Sequence, residues 1–169
     1  TISNWISYLE DSFLVFKLER FDFKLKQQFI APKKVYCIDT GIINSIGFKF
    51  SENKGRLMEN AVATELQRRR AEGTEIYYWK DHFQNEVDFV VKKGRSVTQI
   101  IQVSNISSKD DIREREIKPL LKASKELICR NLLVITWGYE SRQNFLGKAV
   151  NFVPLWKWLL AQPSSLVER

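Results

Sequence analysis

The chain has one histidine, His82, and two cysteines, Cys37 and Cys129. Zinc sites need several imidazoles or thiolates at short spacing, so no zinc motif is spelled, and His82 reads as an ordinary loop residue. The two cysteines lie far apart, each in or beside an apolar run, and read as small buried side chains of a reducing compartment. Neither the phosphate-loop pattern nor the dinucleotide pattern GxGxxG occurs, which excludes an obvious nucleoside-triphosphate or Rossmann site within this stretch. No apolar run is long enough to span a bilayer, and no signal pattern opens the chain. The expectation is a soluble, cytoplasmic protein with no membrane partner. Repeats and low-complexity tracts are missing too.

What is present is the material of an ordered domain. Of 169 residues, 44% are apolar, with five Trp, five Tyr and eleven Phe, enough for one well-filled core. Lys and Arg number 27 against 20 Asp and Glu, a net charge of +7 that favours polyanionic partners.

The most informative stretch is Glu86-Val87-Asp88-Phe89-Val90-Val91, a basic turn, and Ser96-Val97-Thr98-Gln99-Ile100-Ile101-Gln102-Val103-Ser104. Two β-branched runs around a glycine-containing turn predict a buried hairpin. Asp88 then sits inside a core strand, where an ionised carboxylate must be hydrogen-bonded, paired or metal-bound. A three-residue loop Lys93-Gly94-Arg95 would put Asp88 opposite Ile100 and Glu86 opposite Gln102, with Asp88, Gln102 and Ser104 on one face. Two readings of Asp88 stay open on these residues: a divalent-metal ligand, or a carboxylate held by backbone amides or a nearby Arg or Lys.

Read in order, the chain opens with a helical pattern, Ile2, Trp5, Ile6 and Leu9 behind Thr1. A strand hairpin follows, Phe13 to Leu18 and then Phe21-Asp22-Phe23. Lys24 to Lys34 is a basic connector, Val35 to Ile38 a short strand, and Ile42 to Asn53 a loop. The strongest helix is Gly55 to Arg70, whose stripe of Leu57, Met58, Ala61, Val62 and Leu66 carries Glu59 at its edge. Glu75 to Trp79 predicts a strand before the hairpin. A helix capped near Ser107 and Ser108 should be kinked or split at Pro119. Leu132 to Thr136 and Val150 to Val153 are strands, and Pro154 opens a closing helix in which Trp156 and Trp158 are surface candidates.

A helix with Glu59, a hairpin with Asp88 and the strand triplet Gln102-Val103-Ser104 resemble the PD-(D/E)XK nuclease superfamily. Together with Lys34-Val35-Tyr36, Asp39, Gly41, Asn60, Tyr78-Trp79 and Pro154-Leu155-Trp156, they resemble the C-terminal domain of prokaryotic, often archaeal, AAA+-type P-loop ATPases. The resemblance implies an α/β fold: a restriction-endonuclease-like mixed sheet flanked by helices. It implies a remnant of a winged helix and basic linker over 1–31 and the nuclease-fold domain over 32–169. A P-loop module, the only place for ATP, would precede both.

The superfamily's roles would fall on Glu59, Asp88, Gln102 and Ser104 as catalytic positions, with Glu59, Asp88 and Gln102 holding Mg2+ or Mn2+. Ser104 stands where the superfamily has lysine, and Lys80 or Lys109 are the candidates to replace that charge. The readings are a weak metal-dependent deoxyribonuclease, a catalytically degenerate DNA- or protein-binding module serving the ATPase, and a homo-oligomerisation domain. Lys33, Lys34, Lys92, Lys93 and Arg95 are the expected nucleic-acid contacts.

Overall fold

The computed structural model describes residues 1–46 and 54–161. Eight strands form one mixed sheet: β1 (Val15–Arg20), β2 (Lys34–Cys37), β3 (Thr74–Lys80), β4 (Glu86–Lys93), β5 (Ser96–Ser104), β6 (Leu132–Thr136), β7 (Ser141–Phe145) and β8 (Lys148–Pro154). Their order across the sheet is β2-β1-β3-β4-β5-β6-β8-β7. The helices are α1 (Ile2–Asp11), α2 (Leu25–Ile30), α3 (Thr40–Ile46), α4 (Lys54–Arg68), α5 (Glu114–Glu126) and α6 (Leu155–Leu160). The α/β architecture expected from the sequence is therefore present, with β5, β6 and β8 parallel at the centre.

Strand alternation sorts the core into two layers. Val90, Ile100, Leu132 and Val150 pack with Ile117, Leu120 and Ala123 of α5. Phe89, Ile101, Leu133 and Ile135 pack with Met58, Val62 and Leu66 of α4 and Trp158 of α6. The central strands are buried on both faces, which is why they read as continuous apolar runs rather than alternating ones.

Several expectations need correction. Phe21-Asp22-Phe23 does not return as a hairpin strand: β1 pairs antiparallel with β2 and parallel with β3 instead. Asp22 accepts a hydrogen bond from the Lys24 amide at 3.0 Å, a local turn that competes with strand extension. The connector contains α2, and the loop begins as α3, while the rest of that loop, 47–53, lies outside the described residues. The edge strand β7 escapes notice because Ser141, Arg142, Gln143 and Asn144 are polar. Helix α5 runs through Pro119 unbroken. Proline removes one ladder bond, but the buried side of the helix holds it on the sheet. The break comes earlier, after a 3-10 turn at Lys109–Asp111. Trp158 is buried beside Arg69 rather than on the surface, whereas Trp156 is exposed.

The register of the central hairpin also differs. Lys93 pairs with Ser96, leaving a two-residue turn with Gly94 at φ 60°. A bulge at Thr98 then brings Val91 opposite Gln99 and Phe89 opposite Ile101, and just beyond that pair the Gln102 side chain reaches Asp88. A second irregularity matters more. Tyr77 pairs with Val90 and Trp79 with Val87, so β4 carries one extra residue at Asp88-Phe89. The bulge reverses the alternation, and Val87 joins the α5 layer while Phe89 joins the α4 layer.

Strand β2 is tied to α4 by one buried side chain. The amide oxygen of Asn60 accepts from the Cys37 N–H at 2.9 Å, and its amide nitrogen donates to the Cys37 carbonyl at 2.8 Å. Asn60 thus plays the part of a strand neighbour. Asn60→Ala should lower the unfolding free energy by about 1–3 kcal/mol in urea titrations. Amide exchange should rise at Cys37 before it rises in β6; equal protection in both strands would show that the clamp is dispensable.

Candidate functional site

Three pieces of chain converge on the sheet face under α4. Lys34 and Tyr36 lie two apart on β2, Glu86 and Asp88 two apart on β4, and Glu59 reaches in from the helix. At the point of convergence is the ammonium of Lys34. Its nitrogen lies 2.8 Å from Glu86 Oε1, 2.9 Å from Glu59 Oε1 and 3.2 Å from Asp88 Oδ1. Three carboxylates therefore share one ammonium, Glu59 and Asp88 by hydrogen bonds and Glu86 as an ion pair.

Each carboxylate has a second partner. Glu59 Oε1 also accepts from the Tyr36 hydroxyl at 2.7 Å, and Glu86 Oε2 lies 3.1 Å from Lys80 Nζ. Asp88 Oδ2 accepts from Gln102 Nε2 at 2.8 Å and from the Val103 backbone N–H at 2.9 Å. The β4–β5 pairing ends at Phe89 opposite Ile101, and beyond it the Asp88 carboxylate takes the Val103 N–H of β5. Of the two readings of Asp88 left open above, the one with an amide donor and a paired lysine describes this geometry.

Burial first, and the charge of Glu59 second, push Asp88 up to about 7, although Lys34 and the Val103 N–H pull it back. Burial alone would lower Lys34, but Asp88, Glu59 and Glu86 outweigh it and hold the ammonium above its usual range. Burial and then Glu59 raise the Tyr36 hydroxyl, so it stays a neutral donor. Glu86 is lowered: its burial is outweighed by the bonds to Lys34 and Lys80.

The donor set does not fit a divalent ion as it stands. Carboxylate oxygens do converge, and Glu59 and Asp88 share Lys34 as a partner. The centre, however, is an ammonium, and Gln102 presents its N–H group to Asp88. Among the described residues, the carbonyl oxygen of Gln102 is buried without a hydrogen-bond donor. Among the described residues, no group of three or more His, Cys, Asp or Glu side chains is arranged to hold a metal.

The other expected residues scatter. Ser104 lines a polar cleft of about 880 Å³ with Lys54, Asn105, Ser107, Arg113 and Arg115. Lys33 pairs with Glu19 at 2.6 Å and Lys92 with Glu75, so both charges are already matched. Lys93 and Arg95 are exposed at the hairpin turn, with no ion pair among the described residues. Lys80 joins the cluster through Glu86, whereas Lys109 lies in the 3-10 turn and makes no ion pair among the described residues. His82 is exposed. The residues missed in the sequence are Tyr36, Glu86 and the central role of Lys34. The available signal was two pairs of polar residues at strand spacing, Lys34 with Tyr36 and Glu86 with Asp88.

Residues 54–158 match the family described as Domain of unknown function (DUF4143), and residues 1–53 match Domain of unknown function (DUF8612). The chain is 35% identical over 166 residues to the uncharacterized protein MJ1544 of Methanocaldococcus jannaschii, an alignment covering 94% of this chain and 36% of that protein. It thus spans about a third of that relative's length. No solved structure matches the chain. No helix among the described residues is long and apolar enough to cross a membrane.

The cluster predicts an unusual titration. The Asp88 carboxyl carbon, followed by 13C NMR, should show a midpoint at about 7. Lys34→Met should move it higher, because the charge favouring the ionised form is gone. A folded pKa above the unfolded value of about 3.9 means that protonated Asp88 favours folding, a contribution present at acid pH and lost as pH rises to about 7. The stability of Asp88→Asn relative to wild type should therefore improve between these pH values. A midpoint in the ordinary carboxylate range would refute this account.

Proposed function

Because the chain belongs to the DUF4143 family, whose domains are found in ATPase-associated proteins, we propose that it is a non-hydrolytic binding module serving an ATPase, with DNA as its ligand. The observation that carries this reading is the Lys34 ammonium within 3.2 Å of Glu59, Glu86 and Asp88. A fixed monovalent cation satisfies the carboxylates. It does not supply the Lewis acidity by which a divalent ion turns water into hydroxide. Mg2+ or Mn2+ would require Lys34 to withdraw, and with Ser104 in the superfamily's lysine position the other cation beside the cluster, Lys80, is paired with Glu86 at 3.1 Å. Glu59, Asp88 and Gln102 are accordingly positioning groups for β2, β4 and β5 on this reading.

DNA as ligand is supported by the net charge of +7 and by Lys54, Arg113 and Arg115 around the cleft at the end of β5, where Arg115 is paired with Glu116 at 3.2 Å and Asp111 is a second acid of the lining. Lys93 and Arg95 are further exposed charges, whereas Lys33, Lys34 and Lys92 are committed to carboxylates. The contacts would be to phosphates, which position a duplex without reading its sequence.

Calorimetry with MgCl2 and MnCl2 separates hydrolysis from binding. Wild type should give no binding heat and no plasmid cleavage, while Lys34→Ala, which frees three carboxylates, should gain Mn2+ binding. Manganese binding by the unaltered domain, with cleavage lost on Asp88→Ala, would overturn the proposal. In fluorescence anisotropy with a short duplex, affinity should fall steeply with salt. Lys54→Gln and Arg115→Gln should each reduce the log-log salt slope by about 0.9. Unchanged slopes would remove the cleft from the interface.

A further inference from the structure

On the α5 face of the sheet, away from the ion cluster, a groove of about 680 Å³ runs between α5 and the tip of the β7–β8 hairpin. Its apolar lining comes from Ile112, Ile117, Leu121, Phe145 and Leu146. Three of these, Ile112, Leu121 and Phe145, rest on the α5-side core and so are held in place. The hairpin tip is peculiar. Phe145 pairs with Lys148, which leaves Leu146-Gly147 as a two-residue turn with φ of 51° and 78°. Both central positions are left-handed, a conformation suited to Asn-Gly and strained for a bulky side chain. Leucine occupies the first of them and is 92% exposed. It serves neither the turn nor the core, and it extends the apolar wall of the groove outward.

The rim has a sign. Arg113 and Lys118 are exposed beside the groove, and neither has an ion pair among the described residues. Lys122 is already matched to Asp81, and Glu114 is the single acid of the lining. One wall is the 13-residue helix α5, about 20 Å long, against which a second helix can lie along its length.

We infer that this groove is a docking site for an acidic amphipathic helix of a partner protein, its apolar stripe seated against Leu121, Phe145 and Leu146 and its carboxylates facing Lys118 and Arg113. Such helix-in-groove recognition uses anchors at i, i+3, i+4 and i+7. The groove shares Arg113 with the cleft, but Lys118, Leu121, Phe145 and Leu146 line the groove and not the cleft, so variants at Lys118 and Leu146 test it apart from the DNA-binding reading.

The test is an NMR titration of the whole 15N-labelled domain with a synthetic helical peptide of about sixteen residues, carrying Leu at those anchor spacings and Glu on the opposite face. A second peptide with Lys in place of Glu is the control. Saturable shifts at Lys118, Leu121 and Leu146 with the acidic peptide alone are the expected result. Lys118→Glu should weaken binding about tenfold or more. Leu146→Asn is the sharper variant: asparagine suits the turn, so thermal stability should hold or rise while binding falls. Equal binding of the lysine peptide, or no saturable shifts at these residues, would overturn the site. Sedimentation showing self-association abolished by Leu146→Asn would assign the groove to a second copy and overturn the partner proposed here.

Discussion

Removing the charge of Lys34 would leave Glu59, Glu86 and Asp88 facing one another across a partly buried space. Like charges at such range cannot all stay ionised. The ammonium is therefore what allows β2, α4 and β4 to meet with their carboxylates intact. It binds the three elements by ion-pair contacts of 2.8 to 3.2 Å, and Tyr36 adds a neutral donor to the same Glu59 oxygen. Asn60, the next residue of the helix, closes on the backbone of Cys37. Side chains on one helical turn thus lock an edge strand of only four residues, which forms its ladder with β1 alone.

The extra residue in β4 is the second half of this arrangement. Without it, regular alternation would carry Asp88 and Phe89 to opposite faces. With it, Phe89 fills the α4-side core while Asp88 keeps its carboxylate on Lys34 and on the Val103 N–H. Gln102 fastens the same oxygen from across the strand pair at 2.8 Å, and its own carbonyl oxygen is left buried without a donor. That orphaned acceptor costs free energy. Among the described residues, it marks the one place where polar satisfaction in the cluster is incomplete.

The fold was legible where composition decides it. Runs such as Leu132 to Thr136 could only be strands buried on both faces, and the stripe of Met58, Val62 and Leu66 could only be a helix lying on them. Asp88 was legible as a carboxylate that needed a partner, and Glu59 as a second one. Their partner was not, because Lys33 and Lys34 are neighbours of the same chemistry in a basic stretch. Only strand alternation sends Lys33 to Glu19 and Lys34 to the core side. Register failed for a related reason: a bulge changes the pairing by one residue without leaving a mark in the apolar pattern, as at Thr98 and at Asp88-Phe89. The polar strand β7 was hidden because an edge strand needs little apolar surface.

A lysine and a divalent cation are not equivalent occupants of a carboxylate cluster. An ammonium donates three directed hydrogen bonds and is covalently part of the chain, so it orders its ligands at all ion concentrations and does not exchange. Magnesium is loosely held by few protein oxygens and keeps several waters, which is what makes it useful for chemistry on phosphates. Around Lys34 the first set of properties is built in. Glu59 and Asp88 can stay convergent because they hold strands together, and the cations proposed to meet a polyanion lie elsewhere, around the cleft beyond Ser104. Separating the buried cation from the exposed ones divides the labour on the proposed reading: one lysine organises the sheet edge, and the others meet the ligand.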